Sequence, residues 1–160
     1  VTFNADFDRD MKACAARRPG KWPNTWITPK IMRAYCDLHD AGYAHSFEVW
    51  NNEGELVGGG YGVALGGAFT VGSQFTRESH TSKIGFSVLN WHLAKWGFLL
   101  NDGKDYTSTI DAMGFRIIPR AEFEQILAGH GTQVPRTGRW IVEDDLATIA
   151  NAPPAPGDKS

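Results

Sequence analysis

Apolar residues along the chain switch repeatedly between the helical and the extended period. "DFDRDMKACAARR" sets Phe7, Met11, Cys14 and Ala15 on one helical stripe, with Pro19-Gly20 as its stop. "WITPKIMRAYCDLHDAG" predicts a second helix. Thr28 caps it, Pro29 fits its first turn, Ile31, Tyr35 and Leu38 form the inward stripe, and Gly42 closes it. "HSFEVWN" then alternates at period two, "NNEGE" turns, "LVGGGYGVA" returns as a strand, and "AFTVGSQF" follows a Gly66-Gly67 turn. "TSKIGFSVLNWHLAKWG" predicts a long helix with Ile84, Val88 and Leu89 inward and Gly97 as its stop. Beyond it, "FLLND" reads as a short strand, "YTSTIDAMG" as a short helix, "FRIIP" as a strand and "RAEFEQILAG" as a last helix, with "RWIV" as an added edge strand. Residues 1–4 read as a short opening strand.

The order β-α-α-β-β-β-α-β-α-β predicts an α+β chain, a mixed β-sheet flanked by helices, and resembles the GNAT acyltransferase fold. Residues 1–146 form the expected domain, and 147–160, ending "NAPPAPGDKS", the expected Pro-rich disordered tail. At 160 residues, 42% apolar and 21% charged, the chain can bury a substantial core. Its net charge of −2 argues against a binder held by electrostatics alone. Cys14 and Cys36 form neither a disulfide framework nor a zinc pattern and are expected as buried free thiols, and His80, His92 and His130 lack ligand spacing, so no metal is expected. Trp91, Trp96 and Phe98 read as packing residues. No apolar run approaches the ~20 residues of a membrane span, and no signal peptide is visible, so a soluble cytoplasmic protein is expected.

One stretch strains the strand pattern. "LVGGGYGVALGGAFTVGSQF", residues 56–75, holds seven glycines, which cost backbone entropy and give a strand nothing to pack. Either the glycines bend the sheet, or something approaches its backbone closely. An acetyl-CoA enzyme of the GNAT class would carry a glycine-bearing pyrophosphate loop before its long helix. "FTRESHTSKIG" has no glycine before the helix.

A second resemblance covers Phe3 to about Leu127. "TWITPKIMRAYCDLHDAGYAHSFEVWNNEGELVGGGYGVALGGAF", the "SK" opening the long helix, the aspartate ending "LLND" and "MGFRIIPR" are similar to the leucyl/phenylalanyl-tRNA–protein transferase family. The resemblance implies a GNAT-like fold and no cofactor. It also implies transfer of an amino acid from the 3′ end of a charged tRNA to an acceptor amine on a protein N-terminus, a peptide or a small molecule. It places Asp102 as the base or amine-orienting residue, Lys104 beside the oxyanion or a substrate carboxylate, and Trp26 against the terminal adenine. Tyr61, Phe69 and Ser73 fall near the aminoacyl end, and glycines 58–60 and 62 would admit it to the sheet.

The chain departs from the family pattern at several points. Gly72 stands where the family has glutamate, and the family's D-x-Q reads "DGK". Thr109 and Ala112 replace a histidine and a serine, while the family's N-terminal domain is missing here. In the implied acyl pocket, Gln74 stands for methionine, Asn101 for isoleucine and Gly60 for a large apolar residue, with Leu89 and Leu93 at phenylalanine positions. Those changes predict a donor with a polar side chain, an acidic one included, in place of leucine or phenylalanine. Two other readings stay open: an acyl-CoA-type N-acyltransferase on the same scaffold, and a non-catalytic binding module.

Overall fold

The computed structural model describes residues 1–16, 25–130, 136, 138 and 140–143. Strand β1 (Thr2–Phe3) leads into helix α1 (Phe7–Ala15), capped by the Asp6 carboxylate on the Arg9 N–H. Helix α2 (Pro29–Asp40) starts as its sequence predicts, with the Thr28 hydroxyl accepting from the Ile31 N–H and Pro29 in the first turn. Strands β2 (Ala44–Trp50), β3 (Leu56–Leu65) and β4 (Ala68–Thr76) form an antiparallel meander. Helix α3 (Thr81–Lys95) then crosses over to β5 (Leu100–Asp102), which pairs parallel with β4. Helices α4 (Ser108–Asp111) and α5 (Arg120–His130) follow. The result is a mixed five-stranded sheet in the order β1-β2-β3-β4-β5, an α+β architecture consistent with a GNAT-like fold.

Helices cover both faces of the sheet, so β2 is buried at nearly every residue and its polar alternates are interior groups. One core gathers Phe3, Phe47, Phe69, Phe86, Leu89, Leu93 and Trp140 under α3; the other gathers Phe7, Met11, Cys14, Leu56, Tyr61 and Phe75 under α1 and α2. The glycines of β3 let the helices reach the sheet. A Cβ on Gly58 would lie 2.5 Å from the Thr81 hydroxyl of α3, one on Gly59 2.2 Å from Asp10 of α1, and one on Gly62 2.5 Å from the Phe69 ring. The protein's own groups therefore occupy the space those glycines leave.

Several sequence expectations shift. Helix α3 turns Gly85, Phe86, Leu89 and Leu93 to the sheet and leaves Ile84 about half exposed, because Gly85 gives way to the Phe47 ring. Helix α2 buries no residue completely; Leu38 is exposed and Cys36 half-buried, whereas Cys14 is buried as expected. "FRIIP" and residues 140–142 of "RWIV" form no strand, having no ladder partner, and β5 is shorter than "FLLND". Instead, Trp140 is buried and stacks on the His45 ring at 3.8 Å. His45 Nε2 donates to the Gly42 carbonyl, and Nδ1 accepts from Asn4 Nδ2, whose own carbonyl is held by the Ser46 N–H. Burial first, then the nearby His39, lowers His45 to about 4, so this ring is a neutral brace. Pro19-Gly20, Arg139 and the tail at 147–160 lie outside the described residues.

Two acids share the α1–β2 interface. Glu48 accepts from the Thr2 hydroxyl (2.6 Å), the Ser46 hydroxyl (2.5 Å) and the Ala5 N–H (3.3 Å), donors suited to a carboxylate. Asp10 is buried beside it. Its Oδ2 accepts from the Cys14 thiol, and its Oδ1 has no hydrogen-bond partner among the described residues. Burial, and then the Glu48 charge, raises the Asp10 carboxyl well above its ordinary 3.8, so it folds as a neutral acid. Its stabilisation is complete below pH 3.8 and is lost as pH rises through the folded-state value. Asp10→Asn should flatten that alkaline-side loss by up to about 1.4 kcal/mol per pH unit, measured as thermal stability against pH. An unchanged slope would exclude Asp10 as its source.

Candidate active site

Strands β4 and β5 pair over only three residues, Ala68↔Leu100, Phe69↔Asn101 and Thr70↔Asp102, and then part. The parting follows from a bulge. Tyr61 faces Ser73 and Gly62 faces Val71, so Gly72 is the unopposed extra residue of β4. A Cβ at Gly72 would stand 2.5 Å from Tyr61 Cε2, so the bulge closes onto the tyrosine only because that atom is missing.

Lys104 spans the gap. Asp102 ends β5 and accepts the Lys104 backbone N–H at 2.9 Å, making a tight turn that holds Lys104 at φ 65, a left-handed backbone rarely adopted by residues other than glycine. The turn sends the ammonium back across the split. Nζ donates to the Gly72 carbonyl at 3.0 Å and lies 4.9 Å from the centre of the Trp26 ring. Trp26 is half exposed and meets Tyr35 edge to face at 6.3 Å, and Tyr35 meets Tyr61 at 4.9 Å. The Tyr61 hydroxyl is buried with no hydrogen-bond partner among the described residues. Burial, above the charges of Cys14, Tyr35 and Asp10, pushes its pKa far up and keeps it protonated. A chain of contacts thus runs from Asp102 through Lys104 to Gly72 and Trp26, and on through Tyr35 to Tyr61, which faces Ser73 in the β3–β4 ladder.

The other expected residues lie on the α3 face. Phe69, Leu89 and Leu93 are core residues. The space left at Gly60 is filled by the Phe47 ring, 2.9 Å from where a Cβ would be, and by Gln74 Cβ at 3.0 Å. Asn101 donates through Nδ2 to the Asn90 carbonyl oxygen of α3. An open cavity of about 650 Å³ lies beside this pair, and Leu93, Asn101, Asp102 and Lys104 line it, whereas the remaining candidates do not. The cavity also takes Asn90, Ile110, Met113 and Phe115, which the sequence analysis did not single out. The only hint was the helical spacing of Asn90 and Leu93. His39, in turn, braces the fold: it stacks on Phe7 at 4.2 Å, and its Nδ1 pairs with the Ala44 carbonyl at 2.7 Å. Among the described residues, no three His, Cys, Asp or Glu side chains converge on a metal-sized site.

The profile of the leucyl/phenylalanyl-tRNA protein transferase family matches residues 1–128. This chain belongs to that family. A leucyl/phenylalanyl-tRNA–protein transferase of Pseudomonas fluorescens SBW25 is 46% identical over 141 residues, covering 88% of this chain and 61% of the relative. One from Azotobacter vinelandii is 44% identical over the same shares, and one from Teredinibacter turnerae is 43% identical over 85% of this chain and 52% of its own. The chain thus spans about three-fifths or less of the length of these relatives. At Gly72, where the resemblance implies a glutamate in the family, this structure has little room: a Cβ there would stand 2.5 Å from Tyr61 Cε2, so a carboxylate side chain would have to displace that ring. Even Gly72→Ala should cost about 1–3 kcal/mol, the usual range for overpacking a well-filled core, and lower the melting temperature accordingly. An unshifted melting temperature would mean that the Tyr61 ring moves aside freely.

Proposed function

We propose that this chain carries an aminoacyl-tRNA-dependent aminoacyltransferase centre. It joins the amino acid of a charged tRNA to an acceptor amine on a protein N-terminus, a peptide or a small molecule. The observation that carries this reading is the family match over residues 1–128, which spans the β4–β5 opening and all twelve expected site residues. Its cellular setting is the cytoplasm, where charged tRNA is abundant. No helix among the described residues is long and apolar enough to cross a membrane.

In the reaction, the acceptor nitrogen attacks the ester carbonyl, the carbonyl–ribose oxygen bond breaks, and the proton lost by nitrogen ends on the ribose oxygen. Asp102 has one oxygen committed to the Lys104 N–H, which fixes the carboxylate and leaves its second oxygen to orient or deprotonate the amine. The Lys104 ammonium has three N–H groups and spends one on Gly72, so it can direct another at the tetrahedral oxyanion. Trp26, half exposed at the mouth, offers a face to the terminal adenine once the ammonium shifts aside.

Incubation with a mixed pool of charged tRNAs and candidate acceptors, read by mass spectrometry, tests the activity. Asp102→Asn should lower transfer about 10²–10⁴-fold with folding intact, and near-normal transfer would remove Asp102 from the mechanism. Trp26→Ala should weaken binding of a short aminoacyl-adenosine analogue by about 1–3 kcal/mol, measured by titration. Binding of acetyl-CoA without any binding of that analogue would overturn the tRNA-dependent reading.

A further inference from the structure

We propose that Lys104 is a latch on the donor site: at rest its ammonium covers the Trp26 face that the donor's adenine needs, and the arriving adenine sends it to the reacting ester. This rests on the aminoacyl-tRNA-dependent reading above. Three observations carry it. Lys104 Nζ lies 4.9 Å from the centre of the Trp26 ring, within the range of a cation–π contact. The same Nζ donates to the Gly72 carbonyl at 3.0 Å, past the last β4–β5 pair, Thr70↔Asp102, so the side chain crosses the split and does not stand out in water. The backbone beneath it is left-handed, at φ 65, and is held by the Asp102 carboxylate on the Lys104 N–H. A residue other than glycine keeps that conformation only where its surroundings impose it.

These contacts oppose donor binding before they assist the reaction. Trp26 is half exposed, so without the ammonium its ring would stand open to a base. A base stacking there must first break the cation–π contact, and its affinity falls by what that contact is worth. The Asp102 turn and the Gly72 carbonyl keep Lys104 rooted, so the displaced ammonium swings about a fixed point and stays in the site. One of its three N–H groups is spent on Gly72, which leaves two for the ester oxygen as negative charge builds there. Stacking of the base and completion of the oxyanion contact are thereby a single movement. Affinity lost in its first half returns as rate in its second.

The test is titration with an aminoacyl-adenosine analogue whose ester is replaced by an unreactive amide, alongside single-turnover transfer from charged tRNA. Lys104→Gly suits the left-handed backbone and removes the ammonium. It should bind the analogue about 2–5-fold more tightly than wild type, the size of an exposed cation–π contact, while transfer slows about 10²–10³-fold. Lys104→Gln should tighten binding in the same way, and it serves if Lys104→Gly does not fold. In a Trp26→Ala background either substitution should leave affinity unchanged, because no face remains to uncover. A merely structural role for Lys104 would not give that coupling. Equal or weaker binding by the Lys104 variants overturns the latch and leaves the tRNA-dependent reading standing. Failure of wild type and variants alike to bind the analogue removes that reading, and the latch with it.

Discussion

A single aromatic ring sets the distance between the sheet and its main helix. Phe47 projects from β2 into a slot with a glycine on each side. A Cβ on Gly60 would stand 2.9 Å from its ring, and one on Gly85 of α3 2.7 Å away. Interiors pack at crystal-like density, so neither side can accept a methyl group without moving strand or helix. The slot fixes the rotation of α3, which is why Phe86, Leu89 and Leu93 point inward and Ile84 does not. That rotation in turn brings Asn90 over β5, where it meets Asn101.

The opposite face obeys the same rule with a polar filler. Asp10 lies over Gly59 where no side chain intervenes, in a space too dry for a second charge beside Glu48. The interface holds because Glu48 collects donors while burial keeps Asp10 neutral. His45 follows the same logic in the other core. It is buried, stacked on Trp140, and its hydrogen bonds are met by the neutral tautomer. These buried titratable groups are braces.

The parting of β4 and β5 comes from one misalignment. The bulge at Gly72 frees a carbonyl just where β5 leaves β4, and Lys104, thrown back by the Asp102 turn, bonds to it. Gly72 and Lys104 thus belong to one local arrangement: the ammonium crosses to the strand on which Tyr61 packs. Asn101 and Asp102, neighbours on β5, both line the cavity beside α3.

Much of this was legible in the chain itself. The caps at Thr28 and Pro29, the glycine stop at Gly97, the meander from 44 to 76 and the crossover helix are local matters of period, capping and φ, and they fall where the pattern put them. The family followed from motifs, and with it the aspartate ending β5. What the glycines of β3 are for was not legible, because an absent side chain does not name its neighbour. Only the folded chain puts Phe47, Thr81, Phe69 and Asp10 into those spaces. "FRIIP" and "RWIV" have strand composition, yet a strand exists only where a partner edge is free, and tertiary contacts made Trp140 a core plug instead. The pairing of Asn101 with Asn90 and the reach of Lys104 to Gly72 join residues 11 and 32 positions apart. Period and propensity act over a few residues, whereas these contacts depend on helix rotation and strand register, which packing alone decides.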